Sequence, residues 1–182
     1  LEETGCNVQT LKLETPVSVD VSGVSAVSQL YTQHRVQDLT DLYQLSICLM
    51  RCTSPDEVAT QGLEILRIRT ESTAVGFLWI DDQGDLKPQK ILPPELSDRI
   101  RLNKKLTERV SREGRAIWIK DGLTSDGKMS SFADAICVPM LNDSNVIGAI
   151  HLYREQEHFD QAHFDFAISA SGILAVALES SR

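Results

Sequence analysis

Positive charge and cysteine are both scarce in this sequence, and each scarcity removes a class of function. Acidic residues outnumber basic ones by 26 to 18, the formal net charge is -8, and no basic stripe interleaved with aromatics occurs. Such a surface repels phosphate backbones and anionic headgroups, so neither direct nucleic-acid binding nor a membrane partner is expected. The four cysteines, Cys6, Cys48, Cys52 and Cys137, form neither a dense framework nor paired CxxC knuckles. A disulfide scaffold is excluded and a reducing, cytoplasmic compartment is expected. The start LEETGCNVQT lacks a basic n-region and an apolar h-region, and no uninterrupted apolar run approaches the ~20 residues that span a bilayer. Glycine-rich phosphate loops and dinucleotide fingerprints are missing as well. The first residue is Leu1 rather than Met, which suggests a piece of a longer polypeptide whose other domains supply the output.

What is present suits one α/β domain with an appendage, at 42% hydrophobic and 24% charged residues. Residues 1–35 are polar and weakly alternating, and are expected to form an extended edge strand followed by a linker; the domain proper is placed at 36–182. From Val36 the pattern turns helical with two apolar faces, one of Leu42, Leu45, Leu49 and Cys52, the other of Tyr43, Ile47 and Met50. Ser54-Pro55-Asp56-Glu57 reads as a capping box opening a second helix to about Arg69. STAVGFLWI (72–80) and LKPQKIL (86–92) read as strands joined by the turn Asp81 to Asp85. Asn103 reads as the N-cap of KKLTERVSRE, with Gly114 as its stop. RAIWIKD (115–121) is a strand, 122–131 a lid-like loop, and AICVPML with VIGAIHLYR a hairpin; Asp160 caps a last helix.

That last helix repeats Phe164, Ala167, Ser171, Leu174 and Leu178 at heptad spacing and carries a second face of Phe166, Ala170, Ile173 and Ala177. Two terminal helices, each with one apolar stripe more than a monomer covers, predict a homodimer through Leu42, Leu45, Leu49, Phe164, Ala167, Ser171, Leu174 and Leu178. The alternative is that both stripes pack on the sheet.

Five segments occur in the order of a known family. ESTAVGFLWIDDQGDL, LTERVSREGRAIWIKD, AICVPML, VIGAIHLYR and FDQAHFDFAISASGILAVALE resemble the hairpins, pocket helix and C-terminal helix of the GAF domain. The run LYQLSICLMRCTSPDEV further resembles GAF domains that follow forkhead-associated domains in bacterial transcriptional regulators. The resemblance implies an α+β fold: a central antiparallel sheet of about six strands, N- and C-terminal helices on one face, and a pocket covered by a short helix and loops on the other. It implies a non-catalytic sensory module that binds a small ligand, dimerises, or both, to control an attached output domain. Carried over by position, Gly76 and His151 look into the pocket; strand alternation adds Ala74, Leu78 and Tyr153. Gly76 admits a ligand to the backbone or simply a tight covering contact, and His151 is a ligand contact or a satisfied inward histidine.

The family's chemistries find little footing in these residues. The scattered Asn-Lys-Phe-Asp-Glu pattern of cyclic-nucleotide binders and the attachment motifs of bilin binders are both missing, so a cyclic nucleotide is unsupported and no covalent chromophore is expected. Haem would have His151 alone as axial ligand. His158 and His163 lack a third ligand for a metal, and Asp81, Asp82 and Asp85 lack a full calcium loop. The free methionine sulfoxide reductases of the family use a thiolate and loop cysteines. Here Cys137 lies in a strand, and Cys48 and Cys52 read as core thiols. Three readings stay open: a ligand sensor, a dimerisation scaffold without ligand, and, disfavoured, a thiol reductase.

Overall fold

A computed structural model describes residues 8–10, 26–81, 83–123, 132–142 and 145–181. Its elements in chain order are β1 (Val8–Thr10), α1 (Ala26–Met50), α2 (Pro55–Arg69), β2 (Ala74–Ile80), β3 (Leu86–Leu92), a short 3-10 turn (Pro94–Leu96), α3 (Lys104–Glu113), β4 (Ile117–Leu123), β5 (Phe132–Asn142), β6 (Asn145–Arg154) and α4 (Gln161–Ser180). The strands form one six-stranded sheet in the order β1-β4-β5-β6-β2-β3, and every neighbouring pair is antiparallel. The α+β architecture is the one the family resemblance implies.

Period-2 alternation sorts the strands onto two faces. Val75 and Phe77 of β2, Trp118 of β4, Ile136, Val138 and Met140 of β5, and Ile150 and Leu152 of β6 join α1, α2 and α4 in the main core. Ala74 and Leu78, Ile117, Ala135 and Cys137, Ala149 and Tyr153 face the other way, toward α3 and the segment before it. Pro88 sits in β3, a sheet edge, where its missing N–H costs no ladder bond.

The helix ends follow their capping chemistry. Ser54 Oγ accepts from Glu57 N–H (3.3 Å), but the Glu57 carboxylate reaches Thr53 N–H (2.7 Å) and Oγ (2.9 Å) rather than the N-cap itself. The expected box is thus offset by one residue. Asn103 caps α3 and Gly114, at φ 61°, closes it in the left-handed region. Asp160 and His163 cap each other reciprocally at the start of α4.

Two expectations need correction. Helix α1 begins at Ala26, not Val36, because the run AVSQLYTQHR holds neither glycine nor proline to stop it. Only 8–10 of the expected edge strand and 26–35 of the expected linker fall within the described residues, and the rest of 1–25 lies outside them; so does most of the expected lid, 124–131. The second correction concerns the interface residues. Leu45, Leu49, Phe164, Ala167, Ser171, Leu174 and Leu178 are buried in the chain's own core, and Leu42 is half-buried against it. Helix α4 packs on β5 of the sheet and against both α1 and α2, while α2 itself packs on β2 and β3, so α4 needs apolar side chains on more than one face to pack within a single chain. Phe164 stacks on Trp118 at 5.7 Å between ring centroids. Among the described helices α4 is also apolar and long enough to cross a bilayer by composition, but its burial against the sheet marks a core helix.

Candidate functional site: a closed polar ring and an open helical face

The five expected pocket residues do converge on the outer face of the sheet. Ala74, Gly76 and Leu78 of β2 pair across the ladder with Tyr153, His151 and Ala149 of β6. All five are buried: Ala74, Leu78 and His151 have no exposed surface and Tyr153 has 2%. A methyl group on Gly76 would collide with the side chain of Leu102, which lies across the glycine as a lid of the protein's own making. Ile100, Leu102, Phe132 and Ala135 complete the apolar filling, with Phe132 stacked on Tyr153 at 4.8 Å.

Within that filling, polar atoms close a ring that starts and ends on Asn103. The Asn103 N–H donates to the Tyr153 hydroxyl oxygen (3.2 Å), and the Tyr153 O–H then donates to His151 Nδ1 (3.0 Å). His151 therefore carries its proton on Nε2, which donates to Thr107 Oγ1 (2.7 Å); Thr107 donates in turn to the Asn103 carbonyl (3.3 Å). The tautomer follows from the partners, each of which has one proton to give. The ring fastens the start of α3 to β6 and keeps Leu102, the residue before the cap, over Gly76.

Burial sets the protonation of the group. It pushes His151 down to about 3, so the ring nitrogen is neutral at physiological pH. The Tyr153 hydroxyl is raised by burial, and Cys137, whose sulfur lies 3.5 Å from His151 Nε2, is raised well above the usual thiol range by the same cause. Cys137 is thus a thiol rather than a thiolate. Of the two alternatives for His151, the satisfied inward histidine describes its surroundings. Sequence reasoning missed Leu102 and Thr107. Thr107 carried a signal, one helical turn beyond the Asn103 cap, while Leu102 sits in irregular chain where no periodicity points.

Next to Tyr153, at the C-terminal end of β6 where Asp134 pairs with Arg154, a second buried cluster anchors α4. The Asp134 carboxylate, 1% exposed as a residue, accepts from Trp118 Nε1 (3.2 Å), Phe159 N–H (2.8 Å) and His158 Nδ1 (2.8 Å). Arg154 donates to the carbonyls of Glu71 (3.1 Å) and His158 (2.7 Å), and pairs with the Glu71 carboxylate. The sheet, the α2–β2 connection and the approach to α4 are thereby tied at one point. His158 and His163 are engaged by Asp134 and Asp160, and among the described residues no three metal-ligating side chains gather.

The opposite layer is open. Val36, Leu39, Tyr43 and Met50 of α1 are 58%, 67%, 67% and 84% exposed, at the spacing of one helical stripe. Beside them a groove of about 920 Å³ runs between α1 and α4, bordered by Leu49, Met50, Gly172, Ile173, Val176 and Ala177. Arg69 of α2 braces α1 through Asp38 (3.0 Å) and Asp41 (2.5 Å), so the stripe is held on a fixed support.

Comparison with known proteins agrees with this architecture. The family model of the GAF domain matches residues 52–179. The GAF domain of an Acinetobacter phosphoenolpyruvate-protein phosphotransferase superposes with a TM-score of 0.66 at 12% identity, covering 80% of this chain and 94% of that one. Free methionine-R-sulfoxide reductase from Neisseria meningitidis superposes with a TM-score of 0.64 at 20% identity, covering 88% and 95%. The GAF domain of the potassium-sensor histidine kinase of Escherichia coli does so with a TM-score of 0.51 at 16% identity, covering 79% and 94%. At these identities the likeness is one of fold. No curated protein matches the sequence. With the family model covering most of the sequence and the sheet order and helix layers in place, the chain belongs to the GAF domain family.

Proposed function

We propose that this chain is a non-catalytic regulatory module that pairs with a second copy of itself through the outer face of α1 and α4, and passes its state to an output domain in the same polypeptide. GAF domains serve sensory and regulatory roles in signalling, and sensor kinases are among the structural relatives. The observation that carries the reading is the exposed stripe Val36, Leu39, Tyr43 and Met50 beside the α1–α4 groove. An apolar stripe of that length on a rigid helix is a liability unless covered. An interface of this kind is self-complementary when two copies meet about a twofold axis. The net charge of -8 argues against nucleic acid or an anionic membrane as the covering surface.

A small ligand that reaches the backbone at Gly76 has to displace Leu102, whose side chain lies against it. That packing favours the scaffold without ligand as the second reading. The reductase reading has the Neisseria enzyme as a fold relative, but Cys137 is a buried neutral thiol on the outer face, whereas Cys48 and Cys52 lie on α1 and just beyond its end, in the opposite layer. A reducing cytoplasm suits the free thiols.

Sedimentation of Tyr43→Glu tests the pairing, because a carboxylate at an exposed position leaves the monomer fold intact. A folded monomer is expected where the unaltered chain dimerises. A dimer that survives the substitution at equal affinity refutes this face as the interface.

A further inference from the structure

The junction of α1 and α2 holds two thiols, of which Cys52 packs partly against the main core and Cys48 stands outside it. Cys48 and Cys52 are four residues apart across the last turn of α1, which tightens there: Arg51 N–H donates to the Cys48 carbonyl and Cys52 N–H to that of Leu49, both at 3.1 Å. Cys48 lies in that turn and Cys52 just beyond the end of α1 at Met50, and both border the same recess. The Cys52 sulfur lies 3.5 Å from the Cys48 carbonyl oxygen, and the Cys48 sulfur 3.8 Å from Gln61 Oε1 on α2. Both are half-buried; Cys52 packs against the main core, as the sequence suggested, and Cys48 does not. With Ile47, Arg51, Glu57 and Gln61 they border one recess of about 570 Å³. Partial burial, the Cys48 thiol and the Glu57 carboxylate together push the Cys52 thiol up, which keeps it protonated beside its neighbour.

Geometry narrows what the pair can hold. A disulfide needs Cβ atoms about 3.5–4.5 Å apart, whereas here each thiol is turned to an oxygen rather than to the other sulfur, Cys48 to Gln61 Oε1 and Cys52 to the Cys48 carbonyl. Direct oxidation would break both contacts to bring the sulfurs together, while an atom bonded to both sulfurs spans a wider gap. Zinc asks for four ligands, and no set of three His, Cys, Asp or Glu side chains stands close enough among the described residues. The fitting occupant is one satisfied by two sulfurs.

We propose that Cys48 and Cys52 form a chelating dithiol site for a trivalent organoarsenical, RAs(OH)2. In the binding step two S–H and two As–OH bonds break, two As–S bonds form, and two water molecules leave. Arsenic stays trivalent and no electron moves, so no oxidant, reductant or base is required, and neutral thiols suffice. Cys52 also borders the α1–α4 groove, so the arsenic substituent comes to rest at the margin of the proposed pairing face.

The test uses the full chain with phenylarsine oxide as probe, followed by mass spectrometry and thiol titration. One arsenic per chain is expected, with two titratable thiols lost, resistance to excess monothiol, and release by a small dithiol. Chelation makes the second bond intramolecular, so Cys48→Ser and Cys52→Ser should each weaken binding by about 10²-fold or more, while Cys6→Ser leaves it unchanged. Equal binding by either single variant, loss of binding in Cys6→Ser, or displacement by monothiol overturns the proposal. Serine is nearly isosteric at these half-exposed positions, and sedimentation of the arsenic-free variants reports pairing separately, so failure of this site and failure of the proposed pairing are told apart.

Discussion

The two layers flanking the sheet have opposite characters. Among the described residues the outer layer is closely packed: a polar ring returns to the residue it left, every ring atom has a partner, and Leu102 fills the space over Gly76. The helical layer satisfies its own core but leaves a stripe of large apolar side chains in water. In a family defined by sensing, the pocket face is here the one that looks inert, and the bundle face is the one with unspent binding capacity. Hydrophobic burial is non-directional and roughly proportional to area, so an exposed stripe marks an interaction more directly than a buried histidine does.

The largest effect that separates the layers lies inside the bundle. Leu174, 1% exposed, packs so closely on Gly62 that a methyl group on the glycine would overlap it. Leu174→Ala should cost about 2–5 kcal/mol in denaturant unfolding, a loss of fold rather than of association. A folded, fully stable monomer would return Leu174 to the interface.

Next comes the ring. His151→Phe removes the acceptor of Tyr153 and the donor to Thr107, and should cost about 1–3 kcal/mol without changing self-association. The same residue sets a pH dependence. Its folded-state pKa, about 3, lies below the unfolded value of 6.5, so the unfolded chain binds the additional proton first as pH falls. This residue's share of stability is complete above about pH 6.5 and is lost toward pH 3, at up to about 1.4 kcal/mol per pH unit. Unfolding measured across that window should show the slope in the unaltered chain and a flatter one in His151→Phe. Parallel profiles would mean that His151 is accessible to protons in the native state.

An effect of similar size probes the Leu102 contact over Gly76. Gly76→Ala forces Leu102 to shift and should cost about 1–3 kcal/mol, and combining it with Leu102→Ala should recover part of that loss. Additive costs in the double variant would show that the two residues do not share the space.

The sequence made the layers legible where a period or a cap carried them. The family resemblance pointed to Gly76 and His151, alternation added Ala74, Leu78 and Tyr153 on their face, and the Asn103 and Asp160 caps fixed two helix starts. It misled where one pattern serves two arrangements. The stripe Phe164, Ala167, Ser171, Leu174 and Leu178 has the spacing of a dimer seam and equally that of a helix packed between layers. Leu102 was invisible because its segment, between the 3-10 turn and α3, has no period, and its position over Gly76 is decided by tertiary packing alone.

Both layers can be compared in one measurement, hydroxyl-radical footprinting of the intact chain across a dilution series. Tyr43 and Met50, 67% and 84% exposed in the single chain, should become protected as concentration rises, while His151 and Tyr153, at 0% and 2%, stay unmodified throughout. Modification of Tyr43 and Met50 that is the same at every concentration, together with ready modification of His151 or Tyr153, would contradict the account and move the working surface to the outer face.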